Sequence, residues 1–443
     1  MQQFADGNGV PYVGGKVYFY TPNTTNGKGT WQDPAQQVPN TNPVVLDSAG
    51  RATIYGAGQY RQVLYDQFGN LIWDKLTNGG AGGGAGSATN CVNDSGADPT
   101  GSRDSTSALN ACFAAKCYAY VPAGTYLTSA AVTTGSCTAI TIQGAGSSIT
   151  TISSNNAGAE TFRNNATEGY ISGLTFDRSV PSTSAYGVDM SVLTDQFQLV
   201  DVKSRNSCYG FYLGATAWSW LKQVEADNNY CDGVYQLNSY IANGVQWNYD
   251  GVLSQGNNGW GIDTRSVSGA GGGAVQVGVW NNVTTFANTN GGVLFQAGSS
   301  SNPLEGIRIT NSSFQGDGND EMQLQTYAAG MMYVSNTIID FAGTGSTGRG
   351  QSTAASHTGN GINVVSEMQG LSLHQVKIEN NSLNGVEIGQ IASSTSAMTL
   401  QLDLAGDYVA NNGQAGTGHV GLDVNGTTGG ATIITGGFYG NRS

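Results

Sequence analysis

Two carboxylates stand two positions apart in the stretch Val224–Glu225–Ala226–Asp227. On a strand, residues i and i+2 share a face, so Glu225 and Asp227 lie about 6.5 to 7 Å apart. That overlaps the range, about 6.5–9.5 Å, in which one carboxyl protonates a glycosidic oxygen while the other activates water. Asp250 and Asp263 are independent candidates for the same work, and Arg265 has the fork geometry to hold a carboxylate through two parallel bonds. Aromatic residues crowd the same region: Trp218, Trp220, Trp247 and Trp260 are four of the seven tryptophans, with Tyr212, Tyr230, Tyr235, Tyr240 and Tyr249 among them. Aromatic faces take the apolar faces of sugar rings, so the cluster suits a glycan groove. The competing reading packs these rings under loops or between subunits.

The carboxylate pair also has a structural reading. Aligning Val202 with Val224 sets Lys203 beside Glu225 and Arg205 beside Asp227, which is what a surface salt-bridge ladder needs. Gly316–Asp317–Gly318–Asn319–Asp320–Glu321 places oxygen ligands at Ca²⁺-loop-like spacing but lacks the complete loop pattern, and a solvated turn is the expectation. His357, His374 and His419 are dispersed, and Lys377 reads as a snorkelling surface lysine rather than a proton-abstracting base. No cofactor and no metal site are expected.

The elements that must position these side chains show themselves in a repeat. Gly187–Val188–Asp189–Met190, Gly210–Phe211–Tyr212–Leu213, Gly233–Val234–Tyr235–Gln236, Gly261–Ile262–Asp263–Thr264 and Gly292–Val293–Leu294–Phe295 share a Gly–apolar–x–apolar pattern, repeated at Gly361, Gly385 and Gly421. The first two steps are both 23 residues. Such a step suits one coil of a parallel β-helix, because a single coil cannot bury its apolar face and must stack on the next. The apolar positions then point into the bore and the x position points out. Coils stack about 4.8 Å apart, which places Tyr212 and Tyr235 directly between Asp189 and Asp263. Asn-rich turns such as Asp227–Asn228–Asn229 fit, since Asn tolerates left-handed backbone and can ladder between coils.

Upstream, residues 1–77 read as short antiparallel strands with Gly and Asn turns, including Lys16–Tyr20, Tyr60–Asp66 and Leu71–Asp74. Residues 78–88 form a Gly-rich linker. Residues 89–126 read as a capping helix, begun at Asp104–Ser105–Thr106, and a first coil; residues 127–443 then form the helix of strands. Two resemblances follow. The block "NPVVLDSAGRATIY", with Gln2–Gln3–Phe4–Ala5–Asp6 ahead of it, resembles the N-terminal modules of phage tail fibres and tailspikes. Gly96–Ala97–Asp98–Pro99–Thr100–Gly101, the capping helix, Val121–Pro122–Ala123–Gly124–Thr125–Tyr126 and Ile140–Thr141–Ile142–Gln143–Gly144 resemble the entry of the pectate-lyase-like superfamily. The fold implied is all-β, a right-handed parallel β-helix preceded by a small antiparallel β domain.

Composition agrees: 66 Gly, few charged residues and little helix-forming run argue for strands and tight turns. A net charge of −13 leaves no surface that would release counterions from a phosphate backbone, so nucleic acid is excluded as a partner. It would also repel a strongly anionic polysaccharide and favours a neutral or weakly charged one. No apolar stretch approaches the roughly 18 residues of a membrane span. Met1–Gln2–Gln3 lacks the look of a signal peptide, so synthesis in a cytosol is expected. The six cysteines form no CxxC pair, and buried free thiols are expected, any disulfide forming after release from the cell.

What the resemblances imply is a homotrimeric tailspike on a virion tail, attached to a tail or baseplate protein through residues 1–77. It would bind and depolymerise a bacterial surface polysaccharide, capsule or O-antigen, as a glycosidase. A polysaccharide lyase on the same fold, or an adhesin or fibre without activity, are the alternatives. The catalytic candidates are Asp227, Asp263, Glu225 and Asp250; the substrate-binding candidates are Tyr212, Tyr235, Trp218, Trp220, Trp247, Trp260 and Arg265. The last coil, ending at Ser443, would need covering by a partner or by neighbouring subunits.

Overall fold

The computed structural model describes residues 2–4, 10–21, 24–33, 36–56, 60–76, 88–192, 194–214, 216–238, 247–266, 275–297, 303–325, 328–343, 359–365, 368–388, 399–403, 408–410, 412, 421–424, 433–435 and 438–439. Most of the Gly-rich linker, Tyr240, His357, His419 and the last four residues lie outside them. The chain divides into two compact units, Met1–Thr89 and Asn90–Ser443.

In the first unit, Lys16–Tyr20 pairs antiparallel with Val44–Val45 on one side and Arg61–Tyr65 on the other, and Leu71–Leu76 completes a four-stranded sheet. Alternation in Lys16–Tyr20 turns Val17 and Phe19 inward, where they pack with Phe4, Val44, Leu46, Tyr60 and Leu64. The hairpin between the last two strands is held by Asp66, whose Oδ1 accepts the N–H groups of Phe68 and Asn70.

The second unit is a parallel β-helix. It opens on the helix Thr106–Lys116, whose Leu109, Cys112 and Phe113 close the end of the core. The middle coils have a long strand, such as Phe197–Arg205, Ser219–Asp227 or Trp247–Gln255, and a second one, such as Phe211–Leu213, Val234–Asn238 or Trp260–Ser266; further on the long strand is broken in two, as at Val279–Asn281 and Thr284–Phe286. The second strands stack in register into an eleven-stranded parallel sheet. The long strands bend at a stacked left-handed residue, Asp201 (φ 52°), Gln223 (φ 53°) and Gly251 (φ 73°), continued by Asn282, Asn311 and Asn336. Asparagine and glycine recur there because they tolerate a conformation that costs other residues about 1–2 kcal/mol. The bend splits the outward surface of a long strand in two, so Lys222 and Asp250 share one column while Glu225 and Asp227 face out beyond the corner.

A second left-handed residue, Asn228 in one coil and Gly256 in the next, ends the long strand and turns an amide into the bore. Asn229 Nδ2 donates to Asn257 Oδ1 (2.9 Å), and Asn257 Nδ2 to Asn288 Oδ1 (2.7 Å), so the buried amides satisfy one another from coil to coil.

The expectation of free thiols is overturned. All six cysteines are paired, Cys91 with Cys112, Cys117 with Cys137 and Cys208 with Cys231. Stacking supplies the reason: Cys208 and Cys231 occupy one position in successive coils, with Cα atoms 4.6 Å apart. The solvated turn expected at Gly316–Glu321 is overturned too, since Asp317 and Glu321 are both fully buried.

Candidate functional site

Register places the x positions of the repeat in one column, Asp189, Tyr212, Tyr235, Asp263 and Leu294. A second column runs beside it, made of the residue that precedes each repeat glycine: Tyr186, Tyr209, Asp232 and Trp260. Together they form one face. The Tyr186 and Tyr212 rings stack at 4.4 Å, Tyr212 and Tyr235 at 5.4 Å, and Tyr209 leans on Tyr235 at 4.8 Å. Gly291 leaves room for Trp260, whose ring lies where a Cβ at position 291 would be.

Charged groups bracket this stack. At one end Asp189 is held by Arg163 (3.3 Å), which also pairs with Glu160. At the other end Asp263, with no exposed surface, takes Arg265 Nε on both oxygens at 2.9 Å and its Nη2 at 2.6 Å. The guanidinium also lies 5.4 Å over the Tyr235 ring. Asp232 is buried beside Asp263 and accepts the Trp260 N–H at 2.6 Å. Burial, and next the charge of Asp263, push the Asp232 carboxyl up to about 7. Burial raises Asp263 as well, against the bonds from Arg265. The site therefore holds a proton-bearing acid against a carboxyl tied to a cation, an arrangement that can protonate a leaving oxygen near neutral pH.

The remaining candidates stand elsewhere. Glu225 is bound to Lys203 at 2.6 Å. Arg205 turns back to Asp177 (3.0 Å) and leaves Asp227 bonded to Asn228 (2.6 Å), its pKa raised by burial. Asp250 accepts from Asn281 at 2.8 Å on the other half of the bent strand. Trp218 is exposed, and Trp220 carries Lys222 over its ring. Trp247 lies wholly inside the bore, its Nε1 donating to the Gly214 carbonyl, and so reaches no surface. The structure thus brings Tyr212, Tyr235, Asp263, Arg265 and Trp260 together and separates them from Glu225, Asp227 and Asp250. Sequence reasoning missed Asp232, Tyr186 and Tyr209; reading the position just before each repeat glycine as a second outward column would have found all three.

Among the described residues no group of three or more His, Cys, Asp or Glu is placed to hold a metal ion. No helix among them is long and apolar enough to cross a membrane.

A family profile described as rhamnogalacturonase A/epimerase, pectate lyase-like matches residues 89–313. No curated protein matches the chain in sequence. Among solved structures, the Azotobacter vinelandii mannuronan C-5 epimerase AlgE6 A-module is similar at 17% identity, covering 80% of this chain and 98% of its own, with a TM-score of 0.51. The AlgE4 A-module of the same organism is similar at 14% identity over 80% and 98%, TM-score 0.50. The Dettilon tailspike protein is 12% identical over 76% of this chain and 68% of its own, TM-score 0.40. The two epimerase modules show a shared fold.

Proposed function

The chain belongs to the rhamnogalacturonase A/epimerase, pectate lyase-like family, and from that premise we propose a tailspike that binds a bacterial surface polysaccharide along its tyrosine face and hydrolyses it there. The observation that carries the reading is Asp232, a buried carboxyl raised to about 7 at the end of a stack of tyrosine rings. In this reading Asp232 protonates the leaving oxygen; burial, and next the charge of its neighbour Asp263, keep it protonated. Arg265 is a positioning residue for Asp263. The tailspike assignment, with attachment through residues 1–77 and assembly as a homotrimer, is supported by the ordered blocks in the N-terminal unit.

A second reading, binding without cleavage, is favoured by the complete burial of Asp263 beneath Arg265. Incubation with purified capsular and O-antigen polysaccharides separates the readings. New reducing ends without absorbance near about 235 nm, where the unsaturated uronate of an elimination absorbs, support hydrolysis. Both signals together mean a lyase, and binding with neither means an adhesin.

A further inference from the structure

We infer that the polysaccharide this face takes is uncharged, and that uronate polymers are excluded from it; this rests on the glycan reading of the same site. Between residues 179 and 303, which hold every site coil after the first, the sequence has four cationic side chains, Lys203, Arg205, Lys222 and Arg265, against eight carboxyl groups. Each of the four is committed. Lys203 holds Glu225, Arg205 holds Asp177 and Arg265 holds Asp263. Lys222 sits over Trp220 and donates to Gln198, in the long-strand sheet and not on the tyrosine face. Arg163, from the coil before, is shared between Glu160 and Asp189.

A polyuronate would set one carboxylate per sugar beside Asp189, Asp232 and Asp263, with no cation left to meet it. Taking Arg163 or Arg265 for that purpose would strip a nearly or fully buried aspartate of its counter-ion, a loss the new pair would have to repay. Elimination chemistry meets the same obstacle, because removing a proton beside a uronate carboxylate needs that carboxylate neutralised. An uncharged sugar makes neither demand. It lies along the outward edges of the stacked Tyr186, Tyr212 and Tyr235 rings, and its glycosidic oxygen accepts the proton of Asp232 as the glycosidic C–O bond breaks, leaving that carboxyl ionised until water attack returns a proton to the site.

Affinity electrophoresis tests this with the full chain, in gels containing purified uncharged O-antigen polysaccharides or uronate-containing capsular polysaccharides. A retaining polysaccharide is then compared with its own derivative oxidised at C6 to carboxylates. The expected retaining polysaccharide is uncharged, with affinity changing less than about twofold between about 0.05 and 0.5 M salt. Oxidation should weaken it on the order of tenfold. Tyr212→Ala should weaken retention roughly two- to tenfold, and Tyr212→Phe, which keeps the ring, should preserve it. Retention of a uronate polymer with affinity that falls as salt rises, or equal retention of the oxidised derivative, overturns the inference and leaves the tyrosine surface standing. Retention of no polysaccharide in either class overturns the glycan reading, and this inference with it.

Discussion

Glu321 Oε1 accepts the backbone N–H of Asp317 at 3.0 Å, a bond that other coils obtain from an asparagine one coil further on. Asn229 N–H is met by Asn257 (2.9 Å), Asn257 N–H by Asn288 (3.1 Å) and Asn381 N–H by Asn412 (3.2 Å). The residue stacked after Asp317 is Ala342, which has no oxygen to offer, and the carboxyl comes instead from position 321, where the other coils carry the repeat glycine.

The two departures should therefore be coupled. Glu321→Gly alone leaves a buried N–H unpaired and should cost about 1–3 kcal/mol. Ala342→Asn alone crowds Glu321 and should cost a similar amount, about 1–3 kcal/mol. Together they rebuild the ladder, and most of the stability lost in either single variant should return. Melting temperatures of the three proteins give the cycle, and additive losses would show that the positions are independent.

The same carboxyl makes stability depend on pH. Burial, and next the charge of Asp317, raise Glu321 well above its ordinary value. A group raised on folding contributes stability that is complete below its unfolded value of about 4.3 and is lost as pH climbs through the folded value. The melting temperature should accordingly fall as pH rises from about 5 into the alkaline range. Glu321→Gln removes the titrating group and should flatten that fall; an unchanged slope would assign it to other groups.

The stacking frame was readable in the sequence because it is periodic. Gly187, Gly210 and Gly233 mark successive coils, and the column from Asp189 through Tyr212 and Tyr235 to Asp263 follows from their spacing alone. What failed needed more than one period. Glu225 and Asp263 are both catalytic candidates on positions read as outward, but the corner at Gln223 and the turn at Asn228 put them on different strands of the coil. Trp247 and Trp260 look equivalent as residue types, yet one fills the bore and the other covers Gly291. The 23-residue spacing of Cys208 and Cys231 matches one coil and carried that pairing, whereas Cys112 lies on the capping helix and Cys117 at its end, so the other two pairs follow no coil period.

Removing the Cys208–Cys231 bond by Cys208→Ser frees a segment spanning 23 residues in the unfolded chain, for which about 3 kcal/mol is the expected loss. Dithiothreitol should lower the melting temperature of the wild type, and the variant should melt below the wild type under oxidising conditions. Equal melting of the two proteins without reductant would mean the bond adds nothing to the stacked coils.

Tyr212 and Tyr235 stack on one another at 5.4 Å, so each ring is held in place by its neighbour. Alanine at either position should weaken glycan binding by about 0.5–1.5 kcal/mol, a factor of roughly 2 to 10, and the double variant by less than the sum, because each single variant already loses part of its neighbour's contribution. Calorimetric titration with the polysaccharide identified by electrophoresis measures this. Losses that simply add would show that the rings contact the glycan without ordering each other.

Asp232 should set the alkaline limit of activity. As a proton donor it works only while protonated, and its carboxyl lies at about 7, so kcat/KM should hold below that pH and fall tenfold per unit above it. Asp232→Asn should cost on the order of 10²–10⁴-fold in rate without loss of glycan affinity. Asp263→Asn offers a sharper check, because the charge of Asp263 is the second cause of the raised value, after burial. Removing that charge should move the alkaline limb to lower pH in whatever activity survives. A limb that stays near 7 in Asp263→Asn would assign the titration to burial alone, and one that stays in Asp232→Asn would assign it to another residue.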